Sequence, residues 1–404
     1  MKQFRTLCWY EYKKLLSRKI VWVSFFLCII TIIFLWLAPF LGDYYIDGKW
    51  IDTNYNLARM DRQYAEALSG REISQELLEE TIAAYRKIPE TPGRHYTSTD
   101  EYQQYARPYS DIFNFIRRTS RMETSEILVS WQPSEEDLYQ KRQTWLMSVW
   151  EELGLSEGEI DYWTEREARI KTPYVYQEHN GYHTMISNYQ TVGLLLLMLI
   201  AICLSGTFSD EHTKKTDQIV LCAPLGKTWS YWSKITVGIG FAVISTAIFA
   251  ATILLLTRCL YGSESFQTTF RLIYAQNSDP ITCGQAVLIA YGNMMFGAVI
   301  ISVFVMVLSE LLKNGIAPLA ISTGLLMAGM LVNIPEQYRA LAQIWDWLPW
   351  NFLSRWNVFG QYTFSVFGHY LAPWQAVPMI YFACTLLIAA IGKPIYQRFQ
   401  VTGR

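Results

Sequence analysis

Uncharged apolar runs long enough to cross a lipid bilayer recur along this chain, and they constrain its fold more than any other feature. They occupy residues 20–41, 191–208, 235–257, 281–309, 314–334 and 370–392. A hydrocarbon core of about 30 Å takes roughly 20 helical residues, and lipid tolerates only helices or closed barrels. The pattern predicts an all-α membrane protein with six transmembrane helices. The first run exceeds a signal-peptide core and no small-residue cleavage site follows Pro39, so it is expected to stay in the mature chain.

Charge is distributed just as unevenly. Residues 42–187 hold 16 Lys or Arg against 26 Asp or Glu, a local net charge of -10 in a chain of net charge -1. No basic footprint for nucleic acid is present. Basic residues gather at one set of helix ends: Lys2, Arg5, Lys13, Lys14, Arg18 and Lys19, then Lys214, Lys215, Lys227 and Lys234, then Lys313, Lys393, Arg398 and Arg404. The opposite short loops hold Arg258, Arg271, Arg339 and Arg355. The positive-inside rule places both termini in the cytoplasm and the acidic block, 42–187, outside, as expected for a multi-pass protein of the cell membrane. None of the seven cysteines lies in that block, so it must fold without disulfides. Cys259 and Cys283 fall on the outer side, where they either bridge two spans or remain unpaired.

Apolar residues of the outer block recur at helical spacing, as in Ile73, Leu77, Ile82, Tyr85 and Ile88. Four or more amphipathic helices are predicted there. Ser69, Ser98, Ser134 and Ser156 each stand three before an acidic residue, the capping-box spacing. Breaks are expected at 89–93, Pro133 and Pro173. His179 and His183 stand at i and i+4 beside Glu178, but Asn180 and Gly181 between them and the lack of a third ligand favour a polar lead-in to the second span over a metal pair. Tyr174, Tyr176, Tyr182 and Tyr189 suit a membrane–water boundary.

On the cytoplasmic side, residues 1–19 put Phe4, Leu7, Cys8, Glu11, Leu15 and Arg18 on one helical stripe, an amphipathic interfacial elbow preceding the span at 20–41. After the second span the chain reads Phe208-Ser-Asp-Glu211, then Thr216-Asp-Gln-Ile-Val-Leu-Cys-Ala-Pro-Leu-Gly-Lys227, then Lys234 at the head of the third span. Ser209 is suited to cap a helix whose positive end faces Asp210 and Glu211. That helix is predicted over about 209–223, either as a rigid knob for a cytoplasmic partner or as an ordinary solvated loop helix.

This order of elbow, span, Phe-Ser-Asp-Glu and Thr-Asp-Gln-Ile-Val-Leu-Cys-Ala-Pro-Leu-Gly-Lys resembles the permease subunit of type-2 (ABC-2 type) ABC transporters. Ser209, Glu211, Thr216, Pro224, Gly226 and Lys234 match the family pattern. The resemblance covers residues 1–41 and 188–404, the latter holding spans two to six, and leaves the large helical extracytoplasmic insertion outside it. It implies that Ser209, Asp210, Glu211, Thr216, Asp217 and Lys234 form an element coupling to a separate ATPase subunit. It further implies pairing with a second permease copy or a paralogue, and an outer re-entrant or interfacial helical pair at about 341–370. The tryptophans of that segment, Trp345, Trp347, Trp350 and Trp356, suit headgroup depth.

The remaining signals separate function classes. Gly226-Lys227-Thr228 ends like a phosphate-binding loop, but Leu221 stands where that loop needs glycine, so no nucleotide site is expected in this chain. No ionisable residue interrupts a predicted span, which disfavours an ion-driven carrier. Gln285, Asn293 and the glycines 292, 297, 315, 324 and 329 fit close helix packing. No catalytic constellation, metal site or cofactor is predicted, which argues against an intramembrane enzyme. ATP-driven export of an amphipathic substrate (peptide, antibiotic or lipid-like) is the leading expectation. The alternative is a membrane-anchored sensor or assembly protein acting through its extracytoplasmic helical domain.

Overall fold

The computed structural model describes residues 2–46, 48–89, 96–213 and 228–397. Two compact units divide the chain: Met1–Ile33, Ile186–Leu255 and Ile289–Arg404 form one, Phe34–Met185 and Leu256–Leu288 the other.

Five helices are long and apolar enough to cross a membrane: Lys19–Phe40, Tyr189–Thr213, Trp229–Tyr261, Cys283–Leu312 and Pro373–Gln397. The shortest has 22 residues, about 33 Å at 1.5 Å per residue. Phe26, Leu27, Ile30 and Phe34 on the first, and Met379, Phe382, Leu386 and Leu387 on the last, are more than half exposed. Continuous apolar surface of this kind is costly in water and neutral in lipid, which is compatible with a multi-pass membrane protein. The run predicted as a span at 314–334 folds as a shorter helix, Ile316–Leu331, of 16 residues and about 24 Å. Lys313 before it turns left-handed at φ 51. Val332 after it is extended, two residues ahead of the residue that precedes Pro335, where helix is disfavoured.

The all-α expectation needs one correction, because two antiparallel hairpins are present. Asp43–Ile46 pairs with Lys49–Thr53, and Phe364–Val366 with His369–Leu371. The second turns through Phe367 and Gly368, both at positive φ (49 and 81), the two-residue geometry whose twist matches paired strands. The Asp-Gly dipeptide at 47–48 is the ordinary sequence sign of the first. The second hairpin lies in the 341–370 segment. There, three short helices, Arg339–Asp346, Pro349–Phe352 and Arg355–Val358, replace the expected helical pair.

In the unit built from Phe34–Met185 and Leu256–Leu288, the predicted stripe is buried except for Ile88, which is partly buried against the core. Ile73, Leu77, Ile82 and Tyr85 join Ile112, Phe113, Ile116 and Leu138 in one core, with Tyr85 stacked on Phe113 at 3.8 Å between centroids. The Ser134 hydroxyl accepts from the Asp137 N–H, and Ser156 with Glu159 forms a full capping box. Ser69 instead closes the preceding helix, donating to the Ala65 carbonyl, and the next helix starts at Gln75. The cap expected at Ser98 falls one residue later, where the Thr99 hydroxyl accepts from Tyr102 N–H. The break at 89–93 lies mostly outside the described residues.

Residues 258–280, which the sequence places in a short loop between apolar runs, are part of this same unit. Leu272 enters the core. Arg142, 2% exposed, pairs with Glu167 and donates to the carbonyls of Ala275 at 2.8 Å and Asn277 at 2.9 Å. Arg166 Nε lies 2.7 Å from Asp279. Glu264 accepts from the backbone N–H groups of Gly181 and Tyr182, closing the N-terminus of the Asn180–Ser187 helix. Burial pushes the nearby Glu178 carboxyl up to about 7; Glu264 adds repulsion while Arg62, 3.6 Å away, opposes the shift.

The bridge considered between Cys259 and Cys283 does not form. Cys259 is an exposed thiol, and the buried Cys283 thiol donates to the Thr269 carbonyl at 3.4 Å. His179 is buried with Nδ1 2.8 Å from the Gln177 carbonyl. No group of three or more His, Cys, Asp or Glu placed to hold a metal occurs among the described residues.

Candidate functional site

The N-terminal helix, Lys2–Leu16, is amphipathic in the way its spacing predicts. Phe4, Leu7, Cys8, Glu11 and Leu15 form its covered side, while Trp9 and Tyr10 are about two-thirds exposed. The covered side rests on protein: Phe4 meets Trp229 edge-on at 5.7 Å. A Cβ at Gly240 would come within 2.0 Å of the Tyr12 hydroxyl, so a glycine there makes room for the tip of Tyr12 against the Trp229–Tyr261 helix.

Where this helix meets the end of the second apolar helix, four charges interlock. The Glu211 carboxylate is held at 2.6 Å by Lys14 Nζ and at 2.6 Å by Lys234 Nζ. Glu11 closes the group, 3.2 Å from Lys234 and 3.9 Å from Lys14. Lys234 is fully buried and Glu211 only 8% exposed; two cations and two anions balance, the condition under which buried charge is tolerable. The Lys234 ammonium also lies 3.5 Å from the Thr207 carbonyl and 5.5 Å from the centroid of the buried Phe208 ring. Tyr231 and Tyr396 pack on that ring.

A second pair fastens the same corner. Arg18 Nη2 is 2.8 Å from Asp210 and donates to the Gly206 carbonyl at 3.2 Å. Gly206 leaves room for this approach, since a Cβ there would sit 2.8 Å from Asp210 and 3.3 Å from Arg18. Ser209 is buried; its N–H donates to Ser309 Oγ at 3.3 Å. His212 Nε2 lies 3.0 Å from Glu310, itself 2% exposed near the end of the Cys283–Leu312 helix.

Of the residues the sequence nominates, Ser209, Asp210, Glu211 and Lys234 thus come together, whereas Thr216 and Asp217 lie outside the described residues, as do Pro224, Gly226 and most of the helix expected over 209–223. The part described, Ser209–Thr213, is helical. Neither Ser209 nor Glu211 faces solvent. Lys14, Glu310 and His212 were not nominated. Lys14 stands three residues after Glu11, the one available hint, while Glu310 lies just beyond the uncharged run that ends at 309.

Mechanically, the cluster fastens the N-terminal helix, the end of the second apolar helix and the start of the third to one another. Displacing Ser209–Thr213 therefore strains three ion pairs at once, Glu211 with Lys14 and Lys234 and Asp210 with Arg18. No family model, no curated protein and no solved structure matches this chain.

Proposed function

We propose that the chain is the membrane-spanning permease subunit of an ATP-driven ABC-2 type transporter, exporting an amphipathic substrate. In this reading Ile316–Leu331 completes a set of six spans in the cell membrane, both termini are cytoplasmic, and residues 42–187 lie outside. A separate ATPase subunit hydrolyses the nucleotide, and a second permease copy or a paralogue completes the pathway.

The observation that carries the reading is the clamp of Lys14, Lys234 and Glu11 on Glu211. A partner docking on the segment that follows Thr213 would pull on Glu211 and Asp210, and the buried ionic contacts would pass that pull to the N-terminal helix and the Trp229–Tyr261 helix. Within this scheme Glu211 transmits force, and the docking contacts fall to more exposed groups such as Asp210.

The test is an affinity pull-down of the chain from its native membranes, with ATPase activity measured on what accompanies it. A stoichiometric nucleotide-binding subunit supports the proposal, and its absence refutes it. That second result would favour the sensor or assembly reading, for which the supporting observation is a cavity of about 320 Å³ lined by Tyr44, Asp61, Tyr102, Gln103 and Arg107.

A further inference from the structure

Beyond the end of the Ile316–Leu331 helix lies a cavity of about 270 Å³ whose lining combines three kinds of group. Met330 and Leu331 contribute hydrocarbon and are 57% and 82% exposed. Trp345 and Trp356 contribute indole rings, and Gln190, Asn333, Asp346, Asn351, Ser354 and Asn357 the polar groups.

The lining carries net negative charge. Asp346 is the sole acid of the lining, no basic residue lines the cavity, and no ion pair or side-chain hydrogen bond engages its carboxylate among the described residues. Burial and the like charge of Glu336 push that carboxyl up to about 6, so it remains largely ionised at neutral pH. The amides of Asn351 and Asn357 bond within the segment: Asn351 Nδ2 donates to the Trp345 carbonyl at 2.8 Å, and Asn357 Nδ2 to the Asn351 carbonyl at 3.0 Å and the Asp346 carbonyl at 3.4 Å. Their amide oxygens accept no hydrogen bond among the described residues and stand as acceptors. Trp356 already carries a cation, with the Arg355 guanidinium 4.4 Å from its ring centroid.

An unpaired carboxylate, acceptor oxygens and indole faces are the groups that recognise an organic ammonium ion. An anion would meet the Asp346 carboxylate in a lining that holds no basic residue, the Arg355 guanidinium being engaged on the Trp356 ring. The exposed Met330 and Leu331 add a surface for an attached hydrocarbon chain. We propose that this cavity binds the ammonium group of an amphiphile, with Asp346 as counter-charge and Trp345 and Trp356 against its methyl or methylene groups. The proposal does not depend on the transporter reading.

Two arms, on the full chain in dodecyl maltoside at pH 7.5, separate the sources of such a group. The first titrates dodecyltrimethylammonium by calorimetry, with dodecyl sulfate as the control. The second exposes the protein to mixed phosphatidylcholine and phosphatidylglycerol vesicles, re-extracts it, and reads retained lipid by native mass spectrometry. Saturable binding of the soluble cation points to a free amphiphile, and selective retention of phosphatidylcholine points to a lipid headgroup; either supports the proposal. Asp346→Asn, which preserves volume, is expected to weaken the interaction roughly tenfold or more. Trp356→Leu, at a position 53% exposed, is expected to weaken it less while leaving the fold intact. The proposal is overturned if wild type binds neither ligand, if dodecyl sulfate binds equally well, or if both variants behave as wild type.

Discussion

Replacing Lys234 by Met tests whether the clamp on Glu211 is an energetic unit. The wild-type group is electrically balanced, with Glu11 and Glu211 against Lys14 and Lys234 at 2.6 to 3.9 Å. Met fills nearly the same volume but leaves two carboxylates facing one ammonium, and Glu211, 8% exposed, cannot recover its loss from water. Removing one partner of a buried ion pair costs about 3–5 kcal/mol. For a body of this size that lowers the melting midpoint by on the order of 10 °C. The second leg of the cycle is Lys234→Met with Glu211→Gln, which restores neutrality by leaving Lys14 with Glu11. The double variant should lie at least about 1 kcal/mol above the sum of the single effects, since groups in one network do not add. Nanoscale fluorimetry of detergent-purified protein at one fixed scan rate supplies the midpoints. A Lys234→Met midpoint within 2 °C of wild type, or strictly additive effects, would refute the reasoning.

Other outcomes follow from the unit that contains the acidic block. Phe113→Ala removes a ring 1% exposed and stacked on Tyr85, and is expected to cost about 3–5 kcal/mol; protection of residues 54–170 from limited proteolysis should fall with it, and unchanged protection would contradict the core assignment. The folded Glu178 carboxyl sits at about 7, above its ordinary value near 4.3. Between those values the folded chain holds a proton that the unfolded chain has lost, so this group's contribution to stability falls as pH rises through the window. Glu178→Gln should therefore gain about 1–2 kcal/mol more over wild type at pH 8 than at pH 5; a difference that is flat with pH would exclude the effect. A membrane-impermeant maleimide is expected to label Cys259 and to spare the buried Cys283 without any reductant, whereas labelling that requires reduction would restore the disulfide.

Much of the architecture was legible because it follows from local periodicity. Apolar runs without charge announce six spans, of which five form membrane-length helices and the run at 314–334 a shorter one, and the stripes of Ile73, Leu77, Ile82 and Tyr85 and of Phe4, Leu7, Glu11 and Leu15 announce which helix faces are covered. Signals a residue or two in length were less secure. Ser69 and Ser98 carried capping-box spacings, yet Ser74 and Thr99 precede the helices that form, because a cap is decided by where neighbouring packing allows the first turn to start. The hairpin at 364–371 was not read because its turn uses Phe-Gly where Asn-Gly is usual.

The candidate site divides in the same way. Chemistry-bearing residues near a helix end, Asp210, Glu211 and Lys234, stand out in the sequence as charges beside apolar runs, so the sequence alone determined where the ionic chemistry is and that it must be balanced if buried. Only the tertiary structure decided the partners. Lys14 lies 197 positions from Glu211, and Arg142 reaches carbonyls more than 130 positions away. Helical periodicity is set by bonds between near neighbours, whereas pairings at such separations depend on how whole helices pack, and no short stretch of sequence encodes that.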